Sequence, residues 1–171
     1  MARPLAAGSV PAVDRVVAAW EYDGPARDLV LALKLRAQAP AAGPLADAMA
    51  AASLRCGLRG RVLTWVPARP GDVRRRGYDH ARVLAREVGR RLGLPARPLL
   101  YRIGDRPDQT ALGAAARRRN LRGAFAARVC SGPVVLVDDL VTTGATATAC
   151  ARALRASGAT AVEVLAACRR S

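Results

Sequence analysis

The stretch VVLVDDLVTTGAT, residues 134–146, constrains the fold more than any other part of this chain. Its four leading apolar residues, three of them β-branched, have the length and composition of a strand buried on both faces. They run straight into two adjacent carboxylates, Asp138 and Asp139. A loop of Thr and Gly follows and opens a helix over 146–157, with Cys150, Ala151 and Leu154 inward and Gly158 as its stop.

The rest of the chain keeps the same rhythm. Val16–Tyr22 reads as a strand, and Pro25 opens a helix with Leu29, Val30, Leu33 and Ala37 on one face. The APAAGP stretch at 39–44 breaks that helix, and an Ala-rich helix from Leu45 to Leu54 follows. Val62–Val66 is an apolar strand ended by Pro67, and PARPGDVRRRGYD reads as an Arg-rich loop. In HARVLAREVGRRLG, Leu84, Val88 and Leu92 recur at helical spacing, with Asp79 as N-cap and Gly93 as stop. Arg97–Arg102 reads as a further strand, residues 103–132 as a long functional loop or hood, and Ala161–Ala167 as the closing strand. Strands alternating with helices predict an α/β protein whose central sheet is mostly parallel and flanked by helices. At 171 residues the expectation is one domain over 1–171, an N-terminal strand and helices at 1–58 and a core at 59–171.

In sheets of this kind ligands sit beyond the carboxyl ends of the strands, where the two acids are expected to lie. Their oxygens suit hydrogen bonds from two neighbouring hydroxyls. The next residues, Thr142, Thr143, Gly144, Ala145 and Thr146, offer backbone N–H groups, three hydroxyls and a helix N-terminus, which together suit an anion. A diol close to a phosphate describes a ribose 5-phosphate. No G-x-x-x-x-G-K-[ST] is present and no G-x-G-x-x-G follows a strand, so the usual P-loop and dinucleotide motifs are excluded.

The net charge of +15 is unevenly spread. Residues 59–128 hold 18 arginines against 5 acids, while the flanks are close to balanced. Arginine outnumbers lysine 27 to 1, a bias that codon usage in a GC-rich genome explains, but codon usage does not explain the clustering. A basic middle segment implies a polyanionic partner: a phosphorylated substrate, pyrophosphate or nucleic acid. Stacking on single strands calls for interleaved aromatics, and aromatics are only 4% of the chain, so phosphate contacts are favoured over base stacking. Cys56, Cys130, Cys150 and Cys168 form no C-x-x-C pair and read as buried free thiols, with no zinc site. The N-terminus lacks the apolar run of a secretory signal and no apolar run nears the roughly 18 residues of a membrane span, so a soluble, cytoplasmic protein with no membrane partner is expected.

VVLVDDLVTTGAT resembles the phosphoribosyl pyrophosphate (PRPP) signature of type I phosphoribosyltransferases. Three further blocks narrow the likeness. WVPARPGDVRRRGYDHARVLARE resembles the PxP…R…RGFNQ…LA region of the ComF, or competence protein F, family. QTALGAAARRRNLRGAF resembles that family's Q-T-x-L…R-x-x-N…A-F block, with Gln109, Leu112, Arg117, Asn120, Ala124 and Phe125 in place. WEYDGPARDLVLALKLRAQAP is similar to the family's helix ending in lysine, here Lys34. ComF-like chains commonly begin with a C-x-x-C zinc segment that this sequence does not contain, and RGFNQ here reads Arg76-Gly77-Tyr78-Asp79-His80.

The resemblance implies a type I phosphoribosyltransferase fold with a flexible hood, Asp138 and Asp139 on the ribose hydroxyls, and Thr142–Thr146 on the 5-phosphate. It implies that the loop with Ala68, Arg69, Arg74, Arg75 and Arg76 receives pyrophosphate, and that Gln109, Arg117 and Asn120 belong to the hood. Arginine suits pyrophosphate through its planar fork of donors. Mg²⁺ is expected mainly through the ligand, with Asp138 and Asp139 as candidate contacts. His80, the single histidine, reads first as a surface or capping residue, with an acid–base role as the alternative. The leading expectation is transfer of phosphoribosyl from PRPP to an unidentified acceptor with release of pyrophosphate. The alternatives are a non-catalytic accessory protein of DNA uptake that binds single-stranded DNA or a competence helicase, and a PRPP-sensing regulator; a homodimer stays open.

Overall fold

The computed structural model describes residues 10–35, 39–103 and 123–170. Gln109, Arg117 and Asn120 lie outside the described residues.

Four strands form one parallel sheet in the order β1-β6-β5-β2. They are β1 (Arg15–Glu21), β2 (Val62–Trp65), β5 (Gly132–Val141) and β6 (Ala159–Arg169). Side chains alternate across a strand, so each strand feeds two cores. Val17, Val135, Val137 and Leu165 face a layer made of α1 (Gly24–Leu35), α2 (Ala42–Cys56) and α4 (His80–Leu92). Val16, Val134, Leu136 and Val164 face a layer made of α5 (Ala145–Ala156), Val10 and Val13. Burial on both faces is why these strands read as continuous apolar runs. The expected α/β architecture, a parallel central sheet flanked by helices, is the one observed.

Helix ends follow local chemistry. Asp79 caps α4 by accepting from the N–H groups of Ala81 and Arg82, and Gly93 ends the helix in the left-handed region. The stretch expected as an Arg-rich loop holds a short helix, α3 (Pro70–Arg76). Proline in its first turn, Asp72 near its start and three arginines in its last turn all suit the helix dipole. With Val73 as its one branched apolar residue, it carries no periodicity to betray it.

Three strand expectations change. The strand expected over Arg97–Arg102 shrinks to β3 (Leu100–Arg102), because Pro98 lacks the N–H a ladder needs. It stands outside the central sheet, paired antiparallel with β4 (Phe125–Ala127), which lies where only loop was expected. Upstream, Ala96 makes one parallel bridge to Leu63. The strand expected to end at Val137 continues to Val141, so the two acids lie within β5 and not at its end. Its ladder to β6 runs on through Leu140↔Cys168 and Val141↔Arg169.

No helix among the described residues is long and apolar enough to cross a membrane. All four cysteines are free; Cys150 and Cys168 are buried, while Cys56 and Cys130 are half-buried.

Candidate functional site

Because Asp138 and Asp139 are neighbours in a regular strand, their side chains start from opposite faces of the sheet, yet both carboxyls border one cleft. Asp138 shares its face with Val134 and Leu136, beside α5, while Asp139 shares its face with Val135 and Val137, beside α1 and α4. Asp138 Oδ1 accepts a hydrogen bond from the Asp139 N–H at 2.9 Å.

A small recess lies on the α5 side, lined by Asp138 and by the backbone and side chains of Thr142 to Ala147. Gly144 makes the turn into the helix at φ 71°, in the left-handed region. A Cβ there would meet Val10 Cγ2 at 2.7 Å, so only glycine fits. The first-turn N–H groups of α5 have no intrahelical acceptor and face this recess; one of them, on Ala145, reaches Thr143 Oγ1 at 3.4 Å. The five residues expected to take a 5-phosphate therefore come together as one cradle.

Beside it opens a larger cleft of about 240 Å³. Ala68, Arg69, Asp72 and Arg76 line one wall and Asp138, Asp139 and Thr146 the floor, with Lys34, His80 and Arg102 also among the lining residues. Asp138 and Thr146 border both recess and cleft. Of the expected pyrophosphate residues, Ala68, Arg69 and Arg76 reach the cleft. Arg74 and Arg75 do not line it: both are exposed, and Arg75 pairs with Asp72 at 2.9 Å.

Lys34, Asp72, His80 and Arg102 line the cleft and were not among the expected site residues. Lys34 Nζ lies 2.8 Å from Asp139 Oδ2, and His80 Nε2 lies 3.7 Å from the same oxygen. α1 is held at this end by Tyr78, whose hydroxyl donates to the Leu33 carbonyl. His80 is only 7% exposed, so it is neither a surface residue nor the cap. Arg76 Nη1 stands 3.4 Å from its Nδ1. Arg102 donates through Nε to the Pro67 carbonyl at 2.9 Å and lies over the Phe125 ring. The lone lysine and the lone histidine were visible as singularities of composition. Nothing in the sequence distinguished Arg102 from the other arginines.

The charges divide unequally between the acids. Burial, and then the neighbouring Asp139 carboxylate, hold the Asp138 carboxyl well above the ordinary range. Burial also works to raise Asp139, but the Lys34 ammonium and the His80 ring outweigh it, and this carboxyl ends below its ordinary value. Burial pushes the His80 imidazole down, against the pull of Asp139. Of the two, Asp139 is the carboxyl that gives up its proton more readily.

No group of three metal-ligating side chains is found among the described residues. Asp139 already faces an ammonium, and burial and the neighbouring acid oppose ionisation of Asp138. The two carboxyls by themselves are a poor fit for direct coordination of Mg²⁺, which asks for ionised oxygens.

No protein-family model matches the chain. It is 34% identical over 96 residues to Competence protein F of Haemophilus influenzae, an alignment covering 53% of this chain and 42% of that protein. It is 32% identical over 171 residues to DNA utilization protein YhgH of Salmonella typhi, covering 93% of this chain and 74% of the relative. The chain thus spans less than half the length of the first relative and about three quarters of the second. Among solved structures it resembles the glutamine PRPP amidotransferase from B. subtilis complexed with ADP and GMP, with a TM-score of 0.53 and 22% identity. That match covers 74% of this chain and 26% of the other. An allosteric regulatory enzyme of purine biosynthesis matches over the same shares, with a TM-score of 0.50 and 20% identity. These likenesses show the type I phosphoribosyltransferase fold.

Proposed function

The chain belongs to the ComF family, and from that premise we propose that its cleft binds PRPP or a related ribose 5-phosphate and transfers the phosphoribosyl group to an acceptor. The observation that carries the reading is the shared border of recess and cleft. An anion cradle of N–H groups and hydroxyls meets a carboxyl floor at Asp138 and Thr146, and a basic wall stands opposite.

The residues divide the work by chemistry. Thr142–Thr146 would hold the 5-phosphate, and Asp138 and Asp139 the ribose hydroxyls. Arg69, Arg76 and the Ala68 backbone would take the pyrophosphate. In the transfer, the bond from the anomeric carbon to pyrophosphate breaks and its electron pair leaves with the pyrophosphate. The acceptor nitrogen forms the new bond and gives up its proton to solvent. Negative charge at Asp139 would favour the cationic ribose, and guanidinium groups would favour the leaving group. Mg²⁺ would enter on the pyrophosphate oxygens of the ligand.

Isothermal titration with PRPP, with ribose 5-phosphate as control, tests the binding step. Micromolar to millimolar binding that is lost in Asp138→Asn/Asp139→Asn, with the fold retained by circular dichroism, is expected. Unchanged affinity in that variant would remove the acids from the site. An acceptor screen for released pyrophosphate tests the transfer.

A second reading rests on a different observation. Arg74 and Arg75 are exposed on α3 and do not line the cleft, within the basic segment. They suit the phosphates of single-stranded DNA, in keeping with the names of the relatives. Affinity for an oligonucleotide should then fall steeply with salt, and Arg74→Ala/Arg75→Ala should flatten that slope without altering PRPP binding.

A further inference from the structure

In a chain with 27 arginines, the one lysine is the residue that the fold delivers to the buried carboxylate. Asp139 is 4% exposed and the Lys34 side chain 33% exposed, so the ammonium has one side against the acid and one toward the cleft. Asp139 Oδ2 is buried at ion-pair distance with no well-aligned hydrogen-bond donor of its own. Among the described residues Asp139 is the one protein partner of an ammonium that carries three donors. Arg69 and Arg76 line the same cleft, yet neither is an ion-pair partner of this acid among the described residues.

Lysine suits this place for a physical reason. A guanidinium is a wide planar fork, whereas an ammonium is a compact point charge that fits beside His80. Mg²⁺ in phosphate-ester sites is held by one or two carboxylates together with ligand oxygens, and keeps several waters. Here the ionised carboxylate of the floor already faces a fixed positive charge supplied by the chain itself.

Resting on the reading of the cleft as a ribose phosphate site, we infer that Lys34 is its built-in cation. It bridges Asp139 to the hydroxyl oxygens of a ribose 5-phosphate ester, so the sugar phosphate binds without a divalent metal. Lys34 thereby sets the metal requirement of the site and not merely the stability of α1.

Ribose 5-phosphate is the probe, because it lacks the pyrophosphate that would carry a metal in by itself. Wild-type affinity in EDTA and in Mg²⁺ should agree within about threefold, and Lys34→Met should lose about tenfold or more in EDTA. Mg²⁺ should restore Lys34→Met, since the freed Asp139 can then take the ion. Mn²⁺ paramagnetic resonance, which is independent of activity, should show an ion bound by the variant with ribose 5-phosphate and none by the wild type. Wild-type binding that vanishes in EDTA, with Lys34→Met equal to wild type in Mg²⁺, would overturn the inference and leave the ribose phosphate reading standing. No wild-type binding in either condition overturns both. Removing one partner of a buried pair can unfold a protein, so Lys34→Met/Asp139→Asn serves as a second variant. It should bind weakly in EDTA without rescue by Mg²⁺; wild-type affinity in that variant also overturns the inference.

Discussion

The Arg102 guanidinium stands 4.6 Å from the centroid of the Phe125 ring, while its Nε holds the Pro67 carbonyl. One side chain thus ties the β3–β4 ribbon to the loop that leaves β2. Arg102→Lys keeps the charge but loses the flat stack and the Nε donor. The expected cost is about 1 kcal/mol in urea unfolding, with pyrophosphate affinity falling about fivefold by titration calorimetry. An unaltered pyrophosphate affinity would reduce Arg102 to a structural brace.

Gly144 and Gly132 both sit at positive φ, 71° and 82°, but only a Cβ on Gly144 meets a neighbour. Replacing either with alanine should cost about 1–2 kcal/mol for the left-handed backbone. Gly144→Ala should cost more, through Val10, and should distort the cradle enough to weaken ribose 5-phosphate binding by about tenfold. Gly132→Ala should leave that affinity unchanged. Equal affinities in the two variants would separate the turn at Gly144 from phosphate recognition.

These positions show how far the sequence could be read. The 134–146 stretch announced its strand, its cradle and its helix, because burial on both faces and a Thr/Gly turn leave local marks. The acids broke the apolar run at Val137, yet the ladder to β6 carried on to Val141, since backbone pairing does not depend on side-chain polarity. β3 and β4 are three residues each and pair across the chain segment between them, so neither has a local signature. Lys34 and His80 meet at Asp139 only because α1 and α4 pack on the same face of the sheet. That meeting is a property of the tertiary fold, and spacing along the chain holds no record of it.

Glu163 is buried near the other end of β6, where its carboxylate accepts from the N–H groups of Arg59 at 2.7 Å and Gly60 at 3.1 Å. Glu163→Ala leaves two backbone donors without their acceptor. The expected loss is about 2–3 kcal/mol in urea unfolding, with ribose 5-phosphate affinity unchanged. A stability change under about 0.5 kcal/mol would mean that water replaces the carboxylate at no cost.

His80 should make stability depend on pH. Its folded-state value is depressed by burial, so on acidification the unfolded chain takes up the proton first. Its contribution is present above about pH 6.5 and is lost as pH falls through the lower folded value. The groups around it are Asp139, Asp79, Lys34 and Arg76. Asp138 works in the opposite sense, since its raised value favours the folded protein at low pH and that advantage fades as pH rises. The urea midpoint of wild type minus that of His80→Asn should therefore increase between pH 5 and pH 7. A flat difference would place the imidazole in contact with solvent.

The opposite orientation of Asp138 and Asp139 has a mechanical consequence. A single small ligand gripping both carboxyls takes hold of the sheet from its two sides at once, through α5 on one and α1 and α4 on the other. Such a ligand acts as a rivet through the centre of the molecule. Amide hydrogen exchange should slow in both helical layers when it binds, including at residues far from any contact with it.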